Sequence, residues 1–89
     1  MQQLSSAQRA YAQIEQMLLG GHLWPGARVS ELSLAREMKL GRGPVREAIR
    51  KFQSEGVMQQ IPRFGTMVRI PRRRDIVEIY ELREALETY

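Results

Sequence analysis

Arg42, Arg46 and Arg50 recur at intervals of four in the stretch GRGPVREAIRKFQSEG, residues 41–56, and Gln53 continues their stripe. A guanidinium group is permanently charged and holds five donors in a planar fork, which matches the paired acceptors of guanine or the oxygens of a phosphate. Residues four apart stand one above another on a helix, so these side chains would form a single basic edge. The chemistry of such an edge is recognition of a polyanion. Catalysis is not expected: no nucleophile with an adjacent base, no paired carboxylates in a pocket and no phosphate-binding loop can be assembled from these residues.

The element that must position the arginines is a helix with a second, apolar face. Val45, Ala48, Ile49 and Phe52 recur at i, i+3, i+4 and i+7, a stripe that has to be buried. Pro44 suits a first helical turn, where the amide it lacks has no intrahelical partner. Gly56 suits the left-handed position just past the last turn. A helix punctuated at both ends, greasy on one side and cationic on its edge, has the form of a DNA-recognition helix.

Charge along the chain supports that reading. The 89 residues carry a net charge of +4, but it is unevenly spread. Residues 39–74 hold ten Lys or Arg against two Glu, residues 75–89 one Arg against five acids, and residues 1–38 three of each sign. The basic block contains the proposed recognition helix, as expected for a polyanion partner. There is no cysteine, which excludes disulfides and thiolate metal sites, and the lone His22 has no evident carboxylate partners for a metal. No cofactor or metal is expected. No apolar run approaches the length of a transmembrane helix and no signal peptide is visible, so a cytoplasmic location and no membrane partner are expected. The length suits one small domain and is too short to enclose a large ligand cavity.

Taken in order, Ser5 or Ser6 can cap a first helix in which Ala7, Ala10, Tyr11, Ile14, Met17 and Leu18 keep helical spacing, and Gly20-Gly21 ends it. His22 to Gly26 form a turn in which Trp24 is expected to seal the edge of the core. Arg28-Val29 can make a very short strand. Ser30 is placed to cap a second helix running through Leu34 and Ala35 to about Met38, and the pattern breaks for three or four residues before the arginine helix begins. Two short helices joined so tightly form a helix-turn-helix, in which the second helix enters the major groove.

Beyond Gly56, Val57 to Ile61 and Thr66 to Ile70 read as strands around a four-residue tip, Pro62-Arg63-Phe64-Gly65. A hairpin in this place is the wing of a winged helix, able to bring Arg63 into a minor groove, with Gly65 either allowing close approach of the backbone or serving only as a turn residue. Residues 71–74, PRRR, form a linker. At Asp75 the charge changes sign and a helical pattern of Ile76, Ile79, Tyr80, Leu82, Arg83 and Leu86 begins, unfinished at Tyr89. The expected fold is mainly α with a small β-hairpin: a winged helix-turn-helix in residues 1–70, a linker at 71–74, and the first helix of a truncated all-helical domain at 75–89.

Several motifs fall in one order and spacing: S-E-x-x-L-A at Ser30 to Ala35, R-x-P-V-R-E-A-I at Arg42 to Ile49, E-G at Glu55-Gly56, and P-x-x-G-T-x-V at Pro62 to Val68. Together they resemble the N-terminal winged-helix domain of GntR-family bacterial transcriptional regulators. The final stretch, with I-x-E-L-R-E-A-L-E from Ile79, resembles the opening helix of the ligand-binding domain in the FadR-like (FCD) branch. The resemblance implies that Arg42 and Arg46 contact operator bases or phosphates, that Arg50 is a further phosphate contact, and that the wing around Arg63 and Gly65 enters the minor groove. Where the family usually has Ser and Thr around Arg42, this chain has Gly41 and Gly43, so the bare amide of Gly43 would meet a phosphate. Lys39 stands where the family commonly has Gly. The implied partners are a palindromic double-stranded DNA operator, a second copy of the full-length regulator, and a small-molecule effector held by the missing domain. The competing expectation is a winged-helix module that binds an acidic protein surface without reading base sequence.

Overall fold

Three helices and three short strands follow one another in the computed structural model, which describes residues 3–70: α1 (Ser6–Leu19), β1 (Arg28–Val29), α2 (Glu31–Met38), α3 (Arg42–Ser54), β2 (Met58–Ile61) and β3 (Gly65–Val68). The expected linker at 71–74 and helix at 75–89 lie outside the described residues. Local chemistry sets the helix ends. Ser5 caps α1 in a reciprocal box: its hydroxyl accepts from the Gln8 amide at 3.1 Å, and the Gln8 side chain accepts from the Ser5 amide at 2.8 Å. Ser30 caps α2 by accepting from the Ser33 amide at 3.2 Å. At the end of α3, Gly56 takes φ +77°, its amide donates to Gln53 and the Val57 amide donates to Phe52, so the last carbonyls are satisfied. Lys39 holds the corresponding left-handed position after α2, at φ 55°. That left-handed residue ends α2 and turns the chain toward α3, which begins at Arg42.

Strand β3 lies between β1 and β2, and all pairings are antiparallel. The expected hairpin is therefore part of a three-stranded sheet, with Arg28 opposite Met67 and Val29 opposite Thr66. Its strands are shorter than expected. Val57 belongs to the closure of α3 through its bond to Phe52, and Gly65 pairs with Ile61 as a strand residue, leaving a three-residue tip, Pro62-Arg63-Phe64. The Phe64 amide donates to the Ile61 carbonyl at 3.1 Å, and Arg63 at the third turn position has φ 67°. A proline followed by a left-handed residue is the arrangement of a type II turn, although arginine is an unusual occupant.

The core lies where α1, α2, α3 and the sheet converge: Ala10 and Ile14 from α1, Leu34 and Ala35 from α2, all four apolar-stripe residues of α3, and Val29, Met58 and Val68 from the strands. Trp24 does not seal it. The turn at Pro25-Gly26 carries the indole outward, 60% exposed, while Leu23 packs against the core in its place. On the α1 side, the Tyr11 ring stacks on Phe52 with centroids 4.1 Å apart, and its hydroxyl donates to Glu55 at 2.6 Å. That hydrogen bond, with some desolvation and the nearby negative charges, pushes the phenol up to about 12. The helices and sheet together make a winged helix-turn-helix, with α3 as its second helix and the β2–β3 hairpin as its wing.

Candidate nucleic-acid interface

Burial of Val45, Ala48, Ile49 and Phe52 turns the other side of α3 to solvent, and Arg42, Arg46 and Arg50 are all exposed there. Arg42 and Gly43 form the first turn. Gly41 before them has no side chain to cap it, and a β-carbon at Gly43 would meet nothing within 4 Å, so the backbone at this end of the helix is open. Its unpaired amides and the positive end of the helix suit an anion. Pro44, as expected, occupies the first turn, where its missing amide costs no hydrogen bond.

Arg46 and Arg50, on successive turns, line a shallow cleft of about 200 Å³ together with Glu31, Ile49, Gln53, Gln60 and Thr66. One wall is α3 and the other is the hairpin, at the strand pair just before the one that closes its tip. Gln60 and Thr66 face each other across β2 and β3, the Thr66 hydroxyl donates to the Gln60 side-chain oxygen at 3.0 Å, and the Gln53 side-chain Nε2 donates to the same oxygen at 3.3 Å. This polar chain joins α3 to the wing beneath the arginines. Arg42, Gly43, Arg63 and Gly65 do not line the cleft; the first two lie at the start of α3 and the last two at the outer end of the wing.

At the wing, Arg63 is exposed and Gly65 has φ +107°, a conformation that side chains rarely adopt. The turn itself therefore requires glycine at 65, whatever else it allows. Beside it, the Arg28 guanidinium sits 5.7 Å over the Phe64 ring and is exposed to solvent. Nothing in the spacing of the sequence singles out Arg28, Glu31, Gln60 or Thr66. A four-residue tip would set Ile61 opposite Thr66; the three-residue tip sets Gln60 there, and only the third strand brings Arg28 to the wing.

Not every positive charge of the basic block faces this side. The Lys51 ammonium lies 4.6 Å from the centre of the Tyr11 ring, toward α1, and the Arg69 guanidinium donates to the Gly56 carbonyl, tying β3 to the end of α3. Arg72, Arg73 and Arg74 lie outside the described residues. Among the described residues, Lys39, Arg42, Arg46, Arg50 and Arg63 are the other exposed cations of the block; Lys51 is exposed as well, but on the α1 side.

The family profile described as "Bacterial regulatory proteins, gntR family" matches residues 6–68, which covers every helix and strand above. A helix-turn-helix transcriptional regulator in an unstable DNA locus of Streptomyces ambofaciens is 38% identical over 77 residues, covering 86% of this chain and 33% of that protein. The Nta operon transcriptional regulator of Aminobacter aminovorans is 34% identical over 71 residues, 80% of this chain and 34% of its own length. Among solved structures, McbR/YncC of E. coli superposes with a TM-score of 0.80 at 28% identity, over 96% of this chain and 40% of that one. The chain thus spans about a third of the length of the relatives it matches. Both of these relatives are described as transcriptional regulators. No helix among the described residues is long and apolar enough to cross a membrane.

Proposed function

Because this chain belongs to the gntR family of bacterial regulatory proteins, we propose that it is a sequence-specific DNA-binding transcriptional regulator that inserts α3 in the major groove and the β2–β3 wing in the adjacent minor groove. The observation that carries this reading is the shared cleft, in which two arginines of α3 stand beside the tip-ward half of the wing, so that one backbone strand of a duplex can pass along it. Arg42 and Arg46 contact bases or phosphates, the Gly43 amide and Arg50 hold phosphates, and Arg63 and Gly65 follow the minor groove. The role of a protein-docking module gains nothing from the regulators named above.

The motif from Ile79 supports placing the chain in the FadR-like branch, with residues 71–74 as a linker and Asp75 opening an all-helical domain. In that arrangement the full-length regulator is a cytoplasmic homodimer on a palindromic operator, and its small-molecule effector binds the helical domain. The test is a titration of the chain against a duplex selected from a randomised library and against a random-sequence duplex at the same salt. Tighter binding to the selected duplex is expected. Equal affinity for the two would reject sequence-specific recognition.

A further inference from the structure

Glu31 is the first residue of α2, and its carboxylate accepts the Nε–H of Arg46, 2.8 Å from Oε1 and 3.5 Å from Oε2. The pair is partly open to solvent, with side-chain exposures of 27% for Glu31 and 48% for Arg46. An ion pair this exposed adds little to stability. Its geometric effect is larger. With Nε engaged, both Nη groups of Arg46 are left without a partner among the described residues, and the outer edge of the fork carries the two donors that match guanine O6 and N7. Arg50, one turn further along the same cleft, has no ion-pair partner among the described residues.

We propose that Glu31 is a specificity-determining positioning residue, which holds Arg46 through its Nε so that its outer edge is presented to a guanine. The proposal rests on the DNA-binding reading above. A free arginine must give up its rotamer freedom when it meets a base, and the tether removes part of that cost before DNA arrives. The carboxylate also offsets the charge that would otherwise draw Arg46 to any phosphate, which weakens binding to random sequence. Arg46 and Arg50, identical in type and four residues apart, thereby acquire different tasks: the tethered one reads a base and the unpaired one holds the backbone. From its place on another helix, Glu31 acts on selectivity without itself touching DNA.

The 89-residue chain is used to select duplexes from a library with a randomised centre, and the selection is repeated with Glu31→Asp, Glu31→Ala and Arg46→Ala. Glu31→Asp keeps the negative charge at the start of α2 but withdraws the carboxylate by one methylene, so a role confined to stabilising that helix end would leave it like wild type. We expect both Glu31 variants to lose about fivefold or more of the preference at one base position, the position that Arg46→Ala also flattens, within the range a bidentate guanine contact supplies. Affinity for a random duplex should hold or rise. Adding Glu31→Ala to Arg46→Ala should flatten the base preference no further. Unchanged preference in Glu31→Asp, equal losses on selected and random duplexes, or flattening at a different position would overturn the proposal while leaving DNA recognition in place. If wild type itself selects no sequence, the functional reading falls and this one falls with it. A separate readout in the free protein, slow exchange of the Arg46 Nε proton that Glu31→Ala abolishes, reports the tether without DNA.

Discussion

Arg46 and Lys51 sit on one helix and meet opposite sides of the domain, one lining the cleft beside the wing and the other lying over the Tyr11 ring. Charge alone would make them equivalent contributors to DNA binding. Their positions predict otherwise: Arg46→Ala should cost about 1–3 kcal/mol of discrimination between selected and random duplexes, whereas Lys51→Ala should leave that ratio at wild type. Equal effects of the two in a binding titration would show that the helix meets DNA on a different face. Arg63 gives a second prediction at this scale, because it holds a left-handed φ of 67° that costs an ordinary side chain about 1–2 kcal/mol. Arg63→Gly should therefore raise the midpoint of urea unfolding while lowering DNA affinity, since the wing loses a cation. A variant that gains stability and keeps full affinity would remove Arg63 from the interface.

The elements that hold α3 in place can be tested apart from DNA. Tyr11 on α1 stacks on Phe52 and donates to Glu55, so it fastens α1 to the far side of the recognition helix. Its folded-state pKa is raised from 10.0 to about 12, which means that the folded protein holds the phenolic proton more tightly than the unfolded chain does. The resulting stability is fully present below pH 10 and is lost as pH rises through about 12. The difference in unfolding free energy between wild type and Tyr11→Phe should shrink over that window. A difference that is flat or grows there would mean that the hydroxyl does not donate to Glu55. The element boundaries were largely legible in the residues, because Ser5, Ser30 and Gly56 act on amides and carbonyls only a few positions away. Strand ends were less so, since Val57 and Gly65 could join either a turn or a ladder until helix closure and strand pairing claimed them.

For the whole molecule, the net charge of +4 says less about DNA binding than the number of cations that can reach phosphates. With Arg46 reserved for a base, Arg42, Arg50 and Arg63 remain as phosphate contacts, and the log-log dependence of half-site affinity on salt should have a slope of about −3. Affinity that ignores salt would point instead to a protein partner. A much steeper slope would bring in Lys39 or the arginines of residues 72–74.

The order of helices and hairpin, the buried stripe of α3 and the arginines along its edge follow from the sequence by itself. Each depends on helical periodicity or on a cap a few residues away, and both are written in neighbouring residues. The tertiary structure decided what those residues face. Trp24 is exposed because the following turn carries it away from a core that Leu23 already reaches, and β1 becomes a third strand only when β3 lies beside it. Arg69 is drawn to the Gly56 carbonyl and Lys51 to an aromatic ring of α1, so a block that is uniformly basic along the chain is divided in space. Arg46 meets a carboxylate 15 residues earlier, and Tyr11 meets one 44 residues later. Such pairs depend on how separate elements pack, and no local pattern in the sequence encodes that packing.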